Sequence, residues 1–144
     1  LHADTLPPEN FPDIIARILN RPQVALGAFR FMLRGQMGAA QLIETLVSLR
    51  CRFLGTPYGD QGIFIRRCMF RHLAGFPDWP VMEDLHFIRN ARKSGKIHIA
   101  KEAALTSARR WENNGLVSTL LRHQLSLIFY RIGIHPRHIS RLRG

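Results

Sequence analysis

The sequence predicts an α/β fold. Segments whose apolar residues keep helical spacing alternate with short apolar segments of strand character, and Gly- or Pro-rich breaks separate them. The 144 residues, 46% of them apolar, suit one domain with a substantial core spanning 1–144.

Taken in order, Leu1-His2-Ala3-Asp4 reads as the end of a buried strand running into a loop. Because the chain opens on it, an N-terminal portion is expected to be missing. Residues 10–20 predict a helix, capped by Asn10, with Phe11, Ile14, Ile15 and Ile18 at helical spacing and Arg21-Pro22 as the stop. Residues 24–33 predict a strand with Ala25, Gly27, Phe29, Phe31 and Leu33 on one face. After a break at 35–38, Ala39, Leu42, Ile43, Leu46, Leu49 and Phe53 outline a long amphipathic helix. Residues 55–62 form a Gly- and Pro-rich loop, 63–65 a short buried strand, and 67–73 one or two helical turns. Residues 82–94 predict a helix with Gly95 as its C-cap, 97–100 and 104–107 two short strands, and 116–132 a last helix before Pro136.

Charge narrows the partners. Lys and Arg number 21 against 10 Asp and Glu, a net +11, which predicts attraction to phosphates of a nucleic acid, a nucleotide or an anionic lipid. Cys51 and Cys68 form no CxxC pattern, and Cys68 with His72 falls short of the four ligands of a structural zinc site. Both are expected to be reduced, buried cysteines of a cytoplasmic protein. No signal peptide is visible and no apolar run approaches the ~20 residues of a membrane span.

Because acids are scarce, their positions carry information. Asp4, Asp60, Glu83 and Asp84 sit in Gly- or Pro-flanked segments beside strands or helix starts, where loops carry chemistry. On a helix, Asp84 shares a face with Phe87, Ile88 and Ala91, which places a carboxylate at the edge of the core, where it could accept a proton from a hydroxyl. By position alone, Glu83 and Asp84 are more simply read as helix-start residues that complement the dipole. Asp4 is a hard oxygen ligand suited to Mg²⁺ or Mn²⁺, or else a turn residue before Pro7-Pro8. In Tyr58-Gly59-Asp60-Gln61-Gly62, glycines allow close backbone approach, while Asp60 and Gln61 offer partners to sugar hydroxyls; the alternative is an ordinary tight turn into the Ile63 strand. In Ala108-Arg109-Arg110-Trp111, adjacent arginines suit a diphosphate and Trp111 a stacking face, with a solvated basic turn the equal alternative.

The order Leu-His-Ala-Asp-Thr, Tyr-Gly-Asp-Gln-Gly, Gly-Phe then Met-Glu-Asp, and Ala-Arg-Arg-Trp resembles the family 2 glycosyltransferases along essentially the whole chain. It is most similar to a bacterial subgroup associated with radical-SAM and selenium-related proteins. The resemblance implies the C-terminal portion of a GT-A fold, Rossmann-like with a mixed sheet. It also implies a nucleotide-sugar donor, Mg²⁺ or Mn²⁺, and inversion at the anomeric carbon. It assigns Asp84 as the base toward the acceptor hydroxyl, Glu83 as its neighbour, and Asp4 as the last acid of the D-x-D metal motif. His2 stands where that motif has its first Asp. Tyr58, Gly59, Asp60 and Gln61 would contact substrate, as would Arg109, Arg110 and Trp111, which keep the end of a Q-x-x-R-W pattern with Ser107 in place of Gln. The strands that hold the nucleobase would precede the metal motif, so the chain alone is expected to be inactive.

Two other classes remain open: a basic nucleic-acid-binding domain, disfavoured because the cations are spread over several elements with no RRM, KH or zinc-finger pattern, and an inactive interaction module. The 116–132 helix is apolar on more than one face and interrupted by Arg122 and Arg131. Packing against another domain or subunit is the favoured reading, and docking on the inner membrane surface the minority one.

Overall fold

The computed structural model describes residues 4–34, 38, 40–107, 125–130 and 132–141. The chain is α/β, with a mixed four-stranded sheet in the order β1-β4-β2-β3. These strands are β1 (Thr5–Leu6), β2 (Val24–Arg34), β3 (Phe64–Ile65) and β4 (Lys96–Ser107). The two long central strands run parallel, from Val24 beside Lys96 to Arg34 beside Ser107, while β1 and β3 pair antiparallel on the outside.

Every residue from Val24 to Phe29 is buried, so β2 is covered on both faces rather than on the single face its alternation predicts. Helix α1 (Phe11–Leu19) packs Ile14 and Ile18 with Val24, Phe29, Phe64, Ala100 and Ala104. Helix α2 (Ala40–Leu54) lays Ile43, Val47 and Cys51 against Phe31 and Leu33. After the short α3 (Arg67–His72), helix α4 (Glu83–Ser94) buries Phe87, Ile88 and Ala91 against Leu26. Residues 125–130 are helical, with Leu127 against Met82 and Leu85, and α5 (Pro136–Arg141) follows. Of the rest of the expected 116–132 helix, Ile132 is a turn residue whose N–H donates to the Ile128 carbonyl, and 116–124 and 131 lie outside the described residues. Among the described residues, no helix is long and apolar enough to cross a membrane.

Several local expectations are corrected. Strand β4 is one element of 12 residues, not two short strands. The charged Lys101-Glu102 interrupts its apolar pattern, and a register irregularity between Ala28 and Arg30 absorbs the change without breaking the pairing. The Asn10 side chain makes no capping bond; instead its carbonyl accepts from Ile14 N–H. Asp4 is an exposed turn residue directly before β1, while Leu1, His2 and Ala3, where the end of a buried strand was expected, lie outside the described residues. Cys68 is exposed, whereas Cys51 is buried, and neither forms a disulfide. Gly95 does cap α4, in an extended conformation (φ 162°). Glycine fits there because a Cβ would lie 2.9 Å from the Gln23 carbonyl, which accepts from Lys96 N–H at 2.8 Å.

Candidate functional site

The carboxyl ends of the parallel strands β2 and β4 gather most of the singled-out residues that the structure describes. In open α/β sheets, this edge is where ligands bind. A single 3-10 turn, Gly59–Gln61, organises it. Gly59 N–H donates to Asp84 Oδ2 at 3.0 Å, tying the turn to the start of α4. The Thr106 hydroxyl donates to the Asp60 carbonyl at 2.9 Å, tying the same turn to the end of β4. With its hydrogen so used, Thr106 Oγ1 accepts from the buried Thr5 hydroxyl at 3.0 Å, which brings in β1. Ser107 N–H donates to the Asp4 carbonyl at 3.2 Å, leaving the exposed Asp4 carboxylate at the rim of this edge.

Asp84 stands half-buried at the head of the face formed by Phe87, Ile88 and Ala91. Its Oδ1 accepts from Leu85 N–H at 2.7 Å and its Oδ2 from Gly59 N–H. The two bonds fix the carboxylate, and each oxygen retains one further acceptor direction. Glu83 lies half-buried beside it in the first turn of α4. Met82, just before the pair, is left-handed (φ 65°, ψ 11°) and buried against Leu85 and Leu127. A non-glycine residue in that conformation costs about 1 kcal/mol, and such strain tends to cluster at functional sites. Here it lies next to Glu83 and Asp84.

Tyr58 forms the inner wall. Burial pushes its phenol above 10.0; the Arg50 guanidinium pulls it back, and the neighbouring carboxylates of Asp84 and Asp60 raise it further. Arg50 lies 3.6 Å over the Tyr58 ring and donates to the Thr56 carbonyl and to Gln61 Oε1. Gln61, 1% exposed, is a core residue. Its amide donates to the Phe29 carbonyl at 3.1 Å and accepts from Tyr58 N–H at 3.1 Å. The Gln61 side chain therefore holds the turn on the sheet, and the atoms it could offer a sugar are already engaged.

Thr5 and Thr106 were not legible as site residues because their partners are distant in sequence, and Arg50 because only the fold of the 55–62 loop back onto α2 brings it to Tyr58 and Gln61. Glu44 was missed too: from α2 its carboxylate accepts from Leu33 N–H at 2.9 Å, near the end of β2. The predicted apolar series of that helix, through Leu42, Leu46, Leu49 and Phe53, put Glu44 on the opposite side, and the face the helix buries is Ile43, Val47 and Cys51. His2, Arg109, Arg110 and Trp111 lie outside the described residues.

Among the described residues, no group of three or more His, Cys, Asp or Glu is arranged to hold a metal ion. The donor chemistry of Asp4 suits Mg²⁺ or Mn²⁺ in a more limited way, since a hard cation is often held by one or two carboxylates together with substrate phosphates. No protein-family model matches the chain, and neither a curated protein nor a solved structure matches it.

Proposed function

We propose that the chain is the metal-motif and acceptor-side part of an inverting glycosyltransferase of the GT-A type, moving a sugar from a nucleotide-sugar donor to an acceptor hydroxyl. One observation carries this reading: Asp84 is fixed by Gly59 at the carboxyl ends of β2 and β4, on the same edge as Asp60 and Asp4. The resemblance to family 2 glycosyltransferases supports the same roles. Asp84 takes the proton of the acceptor hydroxyl as its oxygen bonds to the anomeric carbon. The bond from that carbon to the diphosphate oxygen breaks, and the electron pair leaves with the nucleoside diphosphate. Glu83 keeps the acceptor edge anionic, while Tyr58, Gly59 and Asp60 border the sugar. Asp4 would hold Mg²⁺ or Mn²⁺, which supplies neutralisation of diphosphate charge when bound. Arg109, Arg110 and Trp111 are assigned to the diphosphate and acceptor on the resemblance alone.

A second reading rests on the same carboxylate. Both Asp84 oxygens accept backbone N–H groups, as they would in an inactive interaction module where Asp84 only pins the turn to α4. Calorimetry of the complete protein with a panel of nucleoside diphosphates, with and without Mn²⁺, separates the two. The transferase reading expects metal-dependent binding that Asp4→Asn weakens at least tenfold. Absence of binding with every nucleotide contradicts it, and salt-sensitive, metal-independent binding to mixed-sequence DNA would favour a nucleic-acid-binding domain.

A further inference from the structure

On α2, Leu42, Leu46, Leu49 and Phe53 recur at intervals of four, three and four residues, which aligns them along one side of the helix. They point away from the core. Leu42 is 54% exposed and Phe53 74%, and Leu46 and Leu49 are exposed between them. Their neighbours Gln41, Thr45, Ser48 and Arg52 are exposed and include no acid. The one acid of α2, Glu44, is turned to the Leu33 N–H.

A cationic cavity of about 660 Å³ lies at the C-terminal end of α2, which contributes Cys51 and Arg52 to its lining. Arg52, Arg92 and Lys96 line it, with Gly55 and Ser94, and no acidic residue does. Arg92 Nη1 donates to the Leu54 carbonyl at 2.6 Å, which holds a guanidinium at the C-terminal end of α2. A Cβ on Gly55 would lie 3.1 Å from this guanidinium, and the glycine also carries a left-handed φ of 58°. Apolar surface beside fixed cations is the pattern that an interfacial helix presents to anionic headgroups.

We propose that this face of the chain docks on an anionic lipid bilayer. Leu42, Leu46, Leu49 and Phe53 enter the headgroup–acyl boundary, while Arg52, Arg92 and Lys96 meet lipid phosphates. Charge complementarity decides the occupant. The narrow stripe would also fit a helix of a second copy, but each copy carries +11, so pairing would press like charges together. The docking does not depend on the transferase reading, because it uses none of the residues at the carboxyl ends of β2 and β4.

The test is co-sedimentation of the whole chain with phosphatidylcholine vesicles, and with vesicles that also contain phosphatidylglycerol, in the absence of any sugar donor. Wild type is expected on the mixed vesicles and not on the neutral ones. Leu42→Ser with Phe53→Ser is expected to weaken binding at least tenfold. Arg52→Glu with Lys96→Glu is expected to weaken it about 25-fold or more, from about fivefold per cation lost. Phe53→Trp supplies a readout that needs no disruptive change, since the emission of the introduced indole should shift to the blue on mixed vesicles. Equal binding to both vesicles, an unshifted emission from the Phe53→Trp variant, or undiminished binding by the Leu42/Phe53 variant would overturn the proposal. The last result would mean adsorption by net charge alone. Light scattering that shows a dimer broken by the Leu42/Phe53 substitutions, without vesicle binding, would assign the face to a second copy and overturn it as well. Full competition by free glycerol phosphate with the stripe irrelevant would leave only a small-anion cavity, which also contradicts docking.

Discussion

The two sides of this sheet differ in kind. At the carboxyl ends of β2 and β4, polar groups are locked to one another: Thr5 to Thr106, Thr106 to Asp60, Gly59 to Asp84, Gln61 to Phe29. Along α2, large apolar side chains stand in solvent, and Arg52, Arg92 and Lys96 line a cavity at its C-terminal end. The first region uses long-range hydrogen bonds to fix a few acids within a basic chain. The second leaves apolar area uncovered, as an interaction surface does. A pre-organised site and a docking face place opposite demands on the same residues, and here they occupy separate parts of the molecule.

If the polar end is a locked network, breaking its centre should cost most. Gln61→Leu leaves the Phe29 carbonyl and Tyr58 N–H without their partner inside the protein. Each buried group left unpaired costs roughly 1–3 kcal/mol, so the variant should lose about 3 kcal/mol in chemical denaturation. A loss within about 0.5 kcal/mol would mean that the turn stays in place without Gln61.

Protonation should act next. His86 lies one turn into α4, its Nδ1 3.0 Å from the Tyr130 hydroxyl and its Nε2 3.0 Å from Asn90 Nδ2. Burial lowers its pKa below 6.5, and Arg89 and Lys93 lower it further. His98 on β4 is also lowered, by burial and then by Arg21 and Arg17, with Glu102 opposing. A lowered folded pKa means that the unfolded chain binds the proton more tightly. The stability from neutral histidine is therefore fully present above pH 6.5 and lost as pH falls through the lowered values. Thermal melts should show stability declining below that pH, and His86→Asn should flatten the decline. An equally steep slope in a His86→Asn, His98→Asn variant would place its origin elsewhere.

The smallest effect should be on the other side. Leu42→Ser and Phe53→Ser remove exposed side chains, so each should change stability by no more than about 0.5 kcal/mol. A loss of about 2 kcal/mol would show that the stripe is covered within the chain and is not a surface for a partner.

The difference between the regions also explains what could be read in advance. Periodicity located α1, α4 and β2, because each buries more than one residue of the apolar series that marked it, and it located α2 through a series of which, among the described residues, only Ile43 is buried. It placed Asp84 at the head of the inward series on α4, where it is found half-buried. It misread β4, since Lys101 and Glu102 fall at a register irregularity where the strand continues although its apolar pattern is interrupted. It gave Gln61 to a ligand, because glycines on either side suggest an open loop, and nothing local reveals that the Phe29 carbonyl, 32 residues away, is its partner. The apolar stripe of α2 was present in the spacing of Leu42, Leu46, Leu49 and Phe53, but spacing alone does not separate a second buried face from an exposed one.

The central claim is that Asp84 does chemistry in addition to holding the turn. The most direct measurement compares steady-state turnover and donor affinity of the complete protein with those of its Asp84→Asn variant, which keeps the shape and an oxygen for Gly59 N–H. A base contributes roughly 10²–10⁴-fold, so turnover should fall by that factor while donor affinity stays nearly unchanged and stability falls by only roughly 1 kcal/mol, from loss of the Leu85 N–H bond. Turnover within a few fold of wild type would contradict the claim and leave Asp84 as a structural clamp.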